Sequence, residues 1–176
     1  MRLWFSLFLL VLVPALAGKP PAAEHRLEGE PRPWTRAARR LVENPTARPA
    51  HQTAEMPAGS PQAGLKVYEY LNLKLGDRTF ETVLLATRPG APDDFVLELT
   101  PGTQGPPIQP EELGEVELLG EGTNYWVFRI LRGPFAGAYL VWSTATGHRG
   151  TGGEAVRIYS QKALAREAAL ARLLER

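Results

Sequence analysis

Asn124-Tyr125-Trp126-Val127-Phe128-Arg129-Ile130-Leu131, followed by Ala138-Tyr139-Leu140-Val141-Trp142, is the stretch that decides the fold. In the first run Trp126, Phe128 and Ile130 fall on one side of a period-two ribbon, and Tyr125, Val127, Arg129 and Leu131 on the other. A run rich in aromatic and β-branched residues, apolar on one face and mixed on the other, reads as a central strand. Gly133-Pro134 and Gly137 turn it into the second run, so the pair predicts a hairpin.

Upstream, Leu65, Val67, Leu71, Leu73 and Leu75 alternate with Lys66, Tyr68, Tyr70, Asn72 and Lys74, which predicts a strand whose tyrosines lie on its polar face. Gly76-Asp77 is a tight-turn signal, so Thr79 to Thr87 should return antiparallel. A turn cluster over residues 88–94 precedes the alternating Phe95, Leu97 and Leu99. A Gly/Pro-rich loop over residues 101–110 leads to a short strand at Val116 and Leu118. Short strands joined by tight turns, with no helices between them, argue for an antiparallel meander and against a parallel sheet.

Downstream, Glu154–Tyr159 reads either as a last strand, with Val156 and Ile158 inward, or as the start of a helix. In both readings Leu164, Ala168, Ala171 and Leu174 form an apolar stripe widened by Leu170 and Leu173. With Ser160 as N-cap, this predicts a helix over 160–176 packed on the open face of the sheet.

The opposite end of the chain has a different texture. Met1-Arg2, an apolar run from Leu3 to Val13 and Ala15-Leu16-Ala17 match a cleaved signal peptide over 1–17. Leu16-Ala17-Gly18 resembles the start of a bacterial lipoprotein signal, but Lys19 stands where that pattern needs cysteine, so no lipid is expected. Residues 18–64, dense in Pro, Ala, Arg and Glu, read as a linker with a short helix over 35–43, capped by Thr35 and ended by Pro45. Its Arg36, Arg39 and Arg40 are the one place where weak contact with an anionic membrane or cell-wall polymer is expected.

Residues 65–159 hold eight basic and twelve acidic side chains, against seven and five in 18–64. Such a body lacks the concentrated basic face that nucleic acid requires. There is no cysteine, hence no disulfide, thiolate zinc site or thiol nucleophile. Arg outnumbers Lys sixteen to four, the usage of a GC-rich bacterial genome.

Catalytic motifs are thin. Gly147-His148-Arg149-Gly150-Thr151-Gly152-Gly153 lacks the Lys-Ser/Thr ending of a phosphate loop and reads as a hairpin loop. His25, His51 and His148 have no spaced partner, so no metal is expected. Ser143, His148 and Asp93 or Asp94 supply the residue types of a serine hydrolase without its Gly-x-Ser-x-Gly elbow. The acids Glu111, Glu112, Glu115 and Glu117 sit where solvated charges ordinarily sit. What remains is aromatic: Tyr68, Tyr70, Tyr125 and Trp142, with Arg129 and His148 nearby, would bind a glycan or protein if their faces were open, and would be core if covered.

The expected architecture is mainly β (α+β), an antiparallel meander of about six or seven strands over 65–176 forming an open barrel or sandwich, with the C-terminal helix packed on it. The expected protein is exported, secreted or periplasmic, and takes no cofactor. Its expected role is non-catalytic binding or assembly in the bacterial cell envelope, with a protein or glycan as partner. A small carrier of an apolar ligand between sheet and helix, and a small periplasmic hydrolase, are the alternatives.

Overall fold

The computed structural model describes residues 25–102, 105–122, 125–146 and 154–175; the expected signal peptide over 1–17 and the Gly147–Gly153 loop with His148 lie outside them. The strands are β1 (Arg26–Leu27), β2 (Gln52–Glu55), β3 (Lys66–Leu75), β4 (Arg78–Arg88), β5 (Ala91–Pro101), β6 (Val116–Glu121), β7 (Tyr125–Ile130), β8 (Tyr139–Thr146) and β9 (Glu154–Tyr159). They form one open antiparallel sheet in the order β1-β6-β7-β8-β9-β5-β4-β3-β2. The mainly β fold with C-terminal helical cover is therefore as the sequence predicts. Seven strands, β3 to β9, come from the expected body, and the two short edges come from the segment read as linker.

Two four-stranded meanders, β2 to β5 and β6 to β9, meet where β5 pairs with β9. This places β9 at the middle of the sheet and β7 nearer one side. Glu154–Tyr159 is thus a strand, with Val156 and Ile158 buried on one face and Tyr159 on the other. The chain reaches β6 from β5 through the Gly/Pro-rich loop and a 3-10 turn, Pro110–Leu113, which bury Ile108 and Leu113 in the core. The Trp142 indole donates to the Ile108 carbonyl at 2.9 Å and holds this crossing segment to β8.

The α1 helix (Pro33–Glu43) is no loose linker. Pro33 takes the first helical position, where its missing N–H costs nothing. Trp34, Ala38, Leu41 and Val42 then follow at helical spacing and are at most 3% exposed against β3, β4 and β5. The Trp34 ring meets Phe80 edge-on at 5.4 Å. Thr35 does not cap the helix; its hydroxyl donates to the Arg32 carbonyl, and Arg32 is the N-cap residue. The cap comes from the β3–β4 turn, where Asp77 accepts from the Trp34 amide at 3.0 Å. Gly76 allows this approach: its φ is +55°, and a Cβ there would stand 2.7 Å from the Pro33 carbonyl carbon.

Inside β3 the faces differ from the simple alternation. Tyr68 and Tyr70, expected on the polar side, are buried toward α1, while Val67 and Leu71 are only half-buried. The cause is Asn72, whose φ of +50° turns the strand over so that Leu73 and Leu75 face the core beyond it. The β4 strand changes face at the same level, burying Phe80 and then Val83 and Leu85.

On the opposite face lie α2 (Gln161–Arg166) and α3 (Ala168–Ala171), two short helices separated at Glu167 in place of one helix over 160–176. Ser160 is the N-cap as predicted: its Oγ accepts from the Ala163 amide and also from Phe95 of β5, both at 3.1 Å. Ala163 and Leu164 bury Val127, Tyr139, Val141 and Tyr159, with Leu170, Leu173 and Leu174 half-buried beside them.

Candidate functional site

The clearest concave feature is an open cleft of about 1000 Å³ between the start of α1, the β3–β4 hairpin and the crossing loop. Its walls carry Arg32, Asn72, Arg78, Thr79, Glu81 and Glu112, with Asp77 at the rim turn. The residues are placed by the fold already described. The Gly76-Asp77 turn brings the hairpin onto the helix start, and the flip at Asn72 presents the hairpin's polar side chains to the opening.

Glu112 is the fixed point of the cleft. It accepts from the Trp34 indole at 2.8 Å, from the Arg78 guanidinium at 3.2 Å and from the Gln109 amide at 3.0 Å. The last bond, with the Gln109 side chain, completes a capping box on the 3-10 turn. Arg78 also donates to the Pro106 carbonyl and stacks over Phe80. Across the rim Arg32 pairs with Asp77 at 3.0 Å. Helix, hairpin and loop are thus cross-bonded by charged groups with little freedom left.

This constellation offers donors and acceptors of both charges to a polar ligand. Among the described residues the lining holds no histidine, cysteine, serine or lysine. Of its three carboxylates Glu112 and Asp77 are engaged by donors, Glu81 is the third, and Thr79 and Thr82 are the hydroxyls among the described residues. Among the described residues no three His, Cys, Asp or Glu side chains gather to hold a metal, and no helix is long and apolar enough to cross a membrane.

The aromatic residues singled out in the sequence do not form one platform. Tyr68 and Tyr70 are 5% and 1% exposed, and the Tyr70 hydroxyl donates to the Pro45 carbonyl. Burial, and then the neighbouring Tyr68, push the Tyr70 hydroxyl up to about 12. Tyr125 lies on the other face, half-buried against the C-terminal leucines, and Arg129 is exposed on that same side of β7. Trp142 is half-buried toward α1, tilted 54° against Trp126 at 5.1 Å. His148 lies outside the described residues.

The residues of the imagined hydrolase are otherwise engaged. Asp94 is buried and forked by Arg166, Asp93 is paired with Lys162, and Ser143 lies on β8 opposite Tyr125. The cleft is hidden at the level of sequence because α1 makes one wall of it, and the local pattern predicts a helix that begins after Trp34 within a linker. The usable signal was Pro33-Trp34 followed by Ala38, Leu41 and Val42, a helix start with a large anchor. No protein-family model, curated protein or solved structure matches the chain.

Proposed function

We propose that this chain is an exported, non-catalytic binding or assembly protein of the bacterial cell envelope, and that the cleft beside α1 takes its partner, a polar segment of protein or glycan. The observation that carries the reading is the cleft itself: about 1000 Å³ of open space with two arginines, three carboxylates, an amide and two threonines in its lining. Such a nearly balanced set of donors and acceptors matches an uncharged or zwitterionic chain better than an apolar ligand. The space between sheet and helices favours the carrier alternative less, because Trp34, Leu41, Ala163 and Leu164 already fill it at 3% exposure or less.

The test plugs the cleft from its rim. Thr79 is exposed on β4, so Thr79→Trp adds bulk to the opening without entering the core. Calorimetric titration with soluble cell-wall glycan fragments and with a peptide library should find a ligand whose binding is lost in Thr79→Trp at unchanged Tm. Binding that ignores this substitution would remove the cleft from the function. Turnover of a glycan or ester substrate, abolished by Glu81→Gln, would replace the binding role by an enzymatic one.

A further inference from the structure

The solvent side of α1 carries a feature the cleft does not use. Arg36 and Arg40 stand four residues apart within α1, so one rises above the other at about 6 Å along one stripe of the helix, with Arg32 just before its start. Arg39 lies beside the stripe and Arg48 follows the next turn, giving five arginines and a single acid, Glu43, over residues 32–48. Glu43 is taken by Arg39 at 3.1 Å, and Arg39 itself leans over Phe95. Arg36, Arg40 and Arg48 are exposed and have no ion pair or hydrogen bond among the described residues.

Helix physics accounts for Arg40, which lies in the last turn, but not for Arg36. Like charges four apart repel, and the first turn, whose exposed amides favour an acid, holds none. We infer that this row is a docking surface for a linear, phosphate-bearing polymer lying along α1. Each guanidinium presents a fork of donors that grips phosphate oxygens, and a row of them meets successive charges of an extended chain.

The same observations weigh against other polyanions. An amphipathic helix holds a membrane by sinking its apolar face, and here that face is spent on the core, with Trp34, Ala38, Leu41 and Val42 fully covered. Single-stranded nucleic acid is held by aromatic side chains stacking on its bases, and the exposed face of α1 offers arginines without an aromatic ring. Arg36, Arg39, Arg40 and Arg48 are not among the cleft-lining residues, whereas Arg32 is part of the cleft rim.

The experiment titrates the full chain into fluorescein-labelled inorganic polyphosphate and follows anisotropy at several salt concentrations. Arg36→Gln/Arg40→Gln should weaken binding about tenfold or more, with a shallower dependence of log K on log salt, by roughly 0.7 per lost contact. Arg132→Gln/Arg172→Gln removes the same charge from exposed positions elsewhere and should change affinity less than about twofold. Equal losses in both variants would reduce the effect to net charge and overturn the site. Tighter binding to phosphatidylglycerol vesicles, to polyglutamate or to an oligothymidylate of equal charge would overturn the assignment of the partner.

Discussion

Asn72 is, among the described residues, the one non-glycine with a positive φ, and it sits in the cleft wall. Asparagine tolerates the left-handed region better than other side chains, but the conformation still costs energy that the surroundings must offset. What they gain is the change of face that buries Tyr70 on one side of it and Leu75 on the other. Asn72→Ala should therefore destabilise the protein by about 1 kcal/mol, and Asn72→Gly should be close to neutral, as read by chemical denaturation. A loss of equal size in Asn72→Gly would show that the side chain, and not the backbone, matters. Tyr70 makes a second prediction at this scale. Its hydroxyl titrates near 12 in the folded chain against an ordinary 10.0, so the native state keeps the proton longer than the unfolded one. The associated stability is complete below pH 10 and is lost as pH rises towards 12, on the order of 3 kcal/mol in all. Tyr70→Phe should flatten this alkaline decline while lowering stability at pH 7 by about 1 kcal/mol for the lost bond to Pro45. An unchanged alkaline limb would assign it to other groups, such as Tyr159, whose hydroxyl is raised by burial.

At the scale of elements, the C-terminal cover is fastened by a polar node. Arg166 of α2 forks onto Asp94 of β5, and both it and the backbone of Ala163 bond Gln62 from the β2–β3 connection. Asp94 is 5% exposed, and without Arg166 it keeps only the longer contact to the half-exposed Arg88 at 3.5 Å, so its buried charge is left poorly compensated. Arg166→Leu should cost about 3 kcal/mol or more, and amide exchange should rise in α2 and α3 before it rises in α1. The companion Asp94→Asn/Arg166→Leu should recover part of that loss; no recovery would mean the stem packing of Arg166 carried the effect. The node also shows why parts of the chain were legible and others not. Period-two runs such as Trp126–Ile130 and Phe95–Leu99, and the turn at Gly76-Asp77, are local signals, and the structure follows them. The Ser160 cap is local too. The packing of α1 depends on Trp34 meeting Phe80, and the cleft on Glu112 meeting Trp34 and Arg78, all far apart in sequence. The strand flip at Asn72 was hidden because Tyr68 and Leu71 are both good strand residues, and only the pairing to β4 decides which faces in.

At the scale of the whole molecule, the two meanders share one seam and two covers. Val96 to Leu99 of β5 pairs with Val156 to Tyr159 of β9, residues 57 to 63 positions apart in the chain, and nothing local brings these strands together. The first meander is covered by α1 on one face and by α2, rooted at β5, on the other, while the second relies on Ile108 and Leu113 from the crossing loop and on the same C-terminal helices. Neither half therefore owns a closed core, and an isolated meander would expose what its neighbour covers. The prediction is a single cooperative transition in which both halves unfold together. Tryptophan placement makes it measurable, because Trp34 reports on α1 and the first meander, while Trp126 and Trp142 report on the second. A variant keeping Trp34, with Trp4, Trp126 and Trp142 changed to Phe, gives a fluorescence transition that belongs to the first half; far-ultraviolet circular dichroism of the same variant is dominated by the whole sheet. The two curves should coincide in midpoint and slope. An earlier Trp34 transition would make α1 a detachable element whose docking is a separate step, and the cleft, which needs α1 for one wall, would then open and close with it.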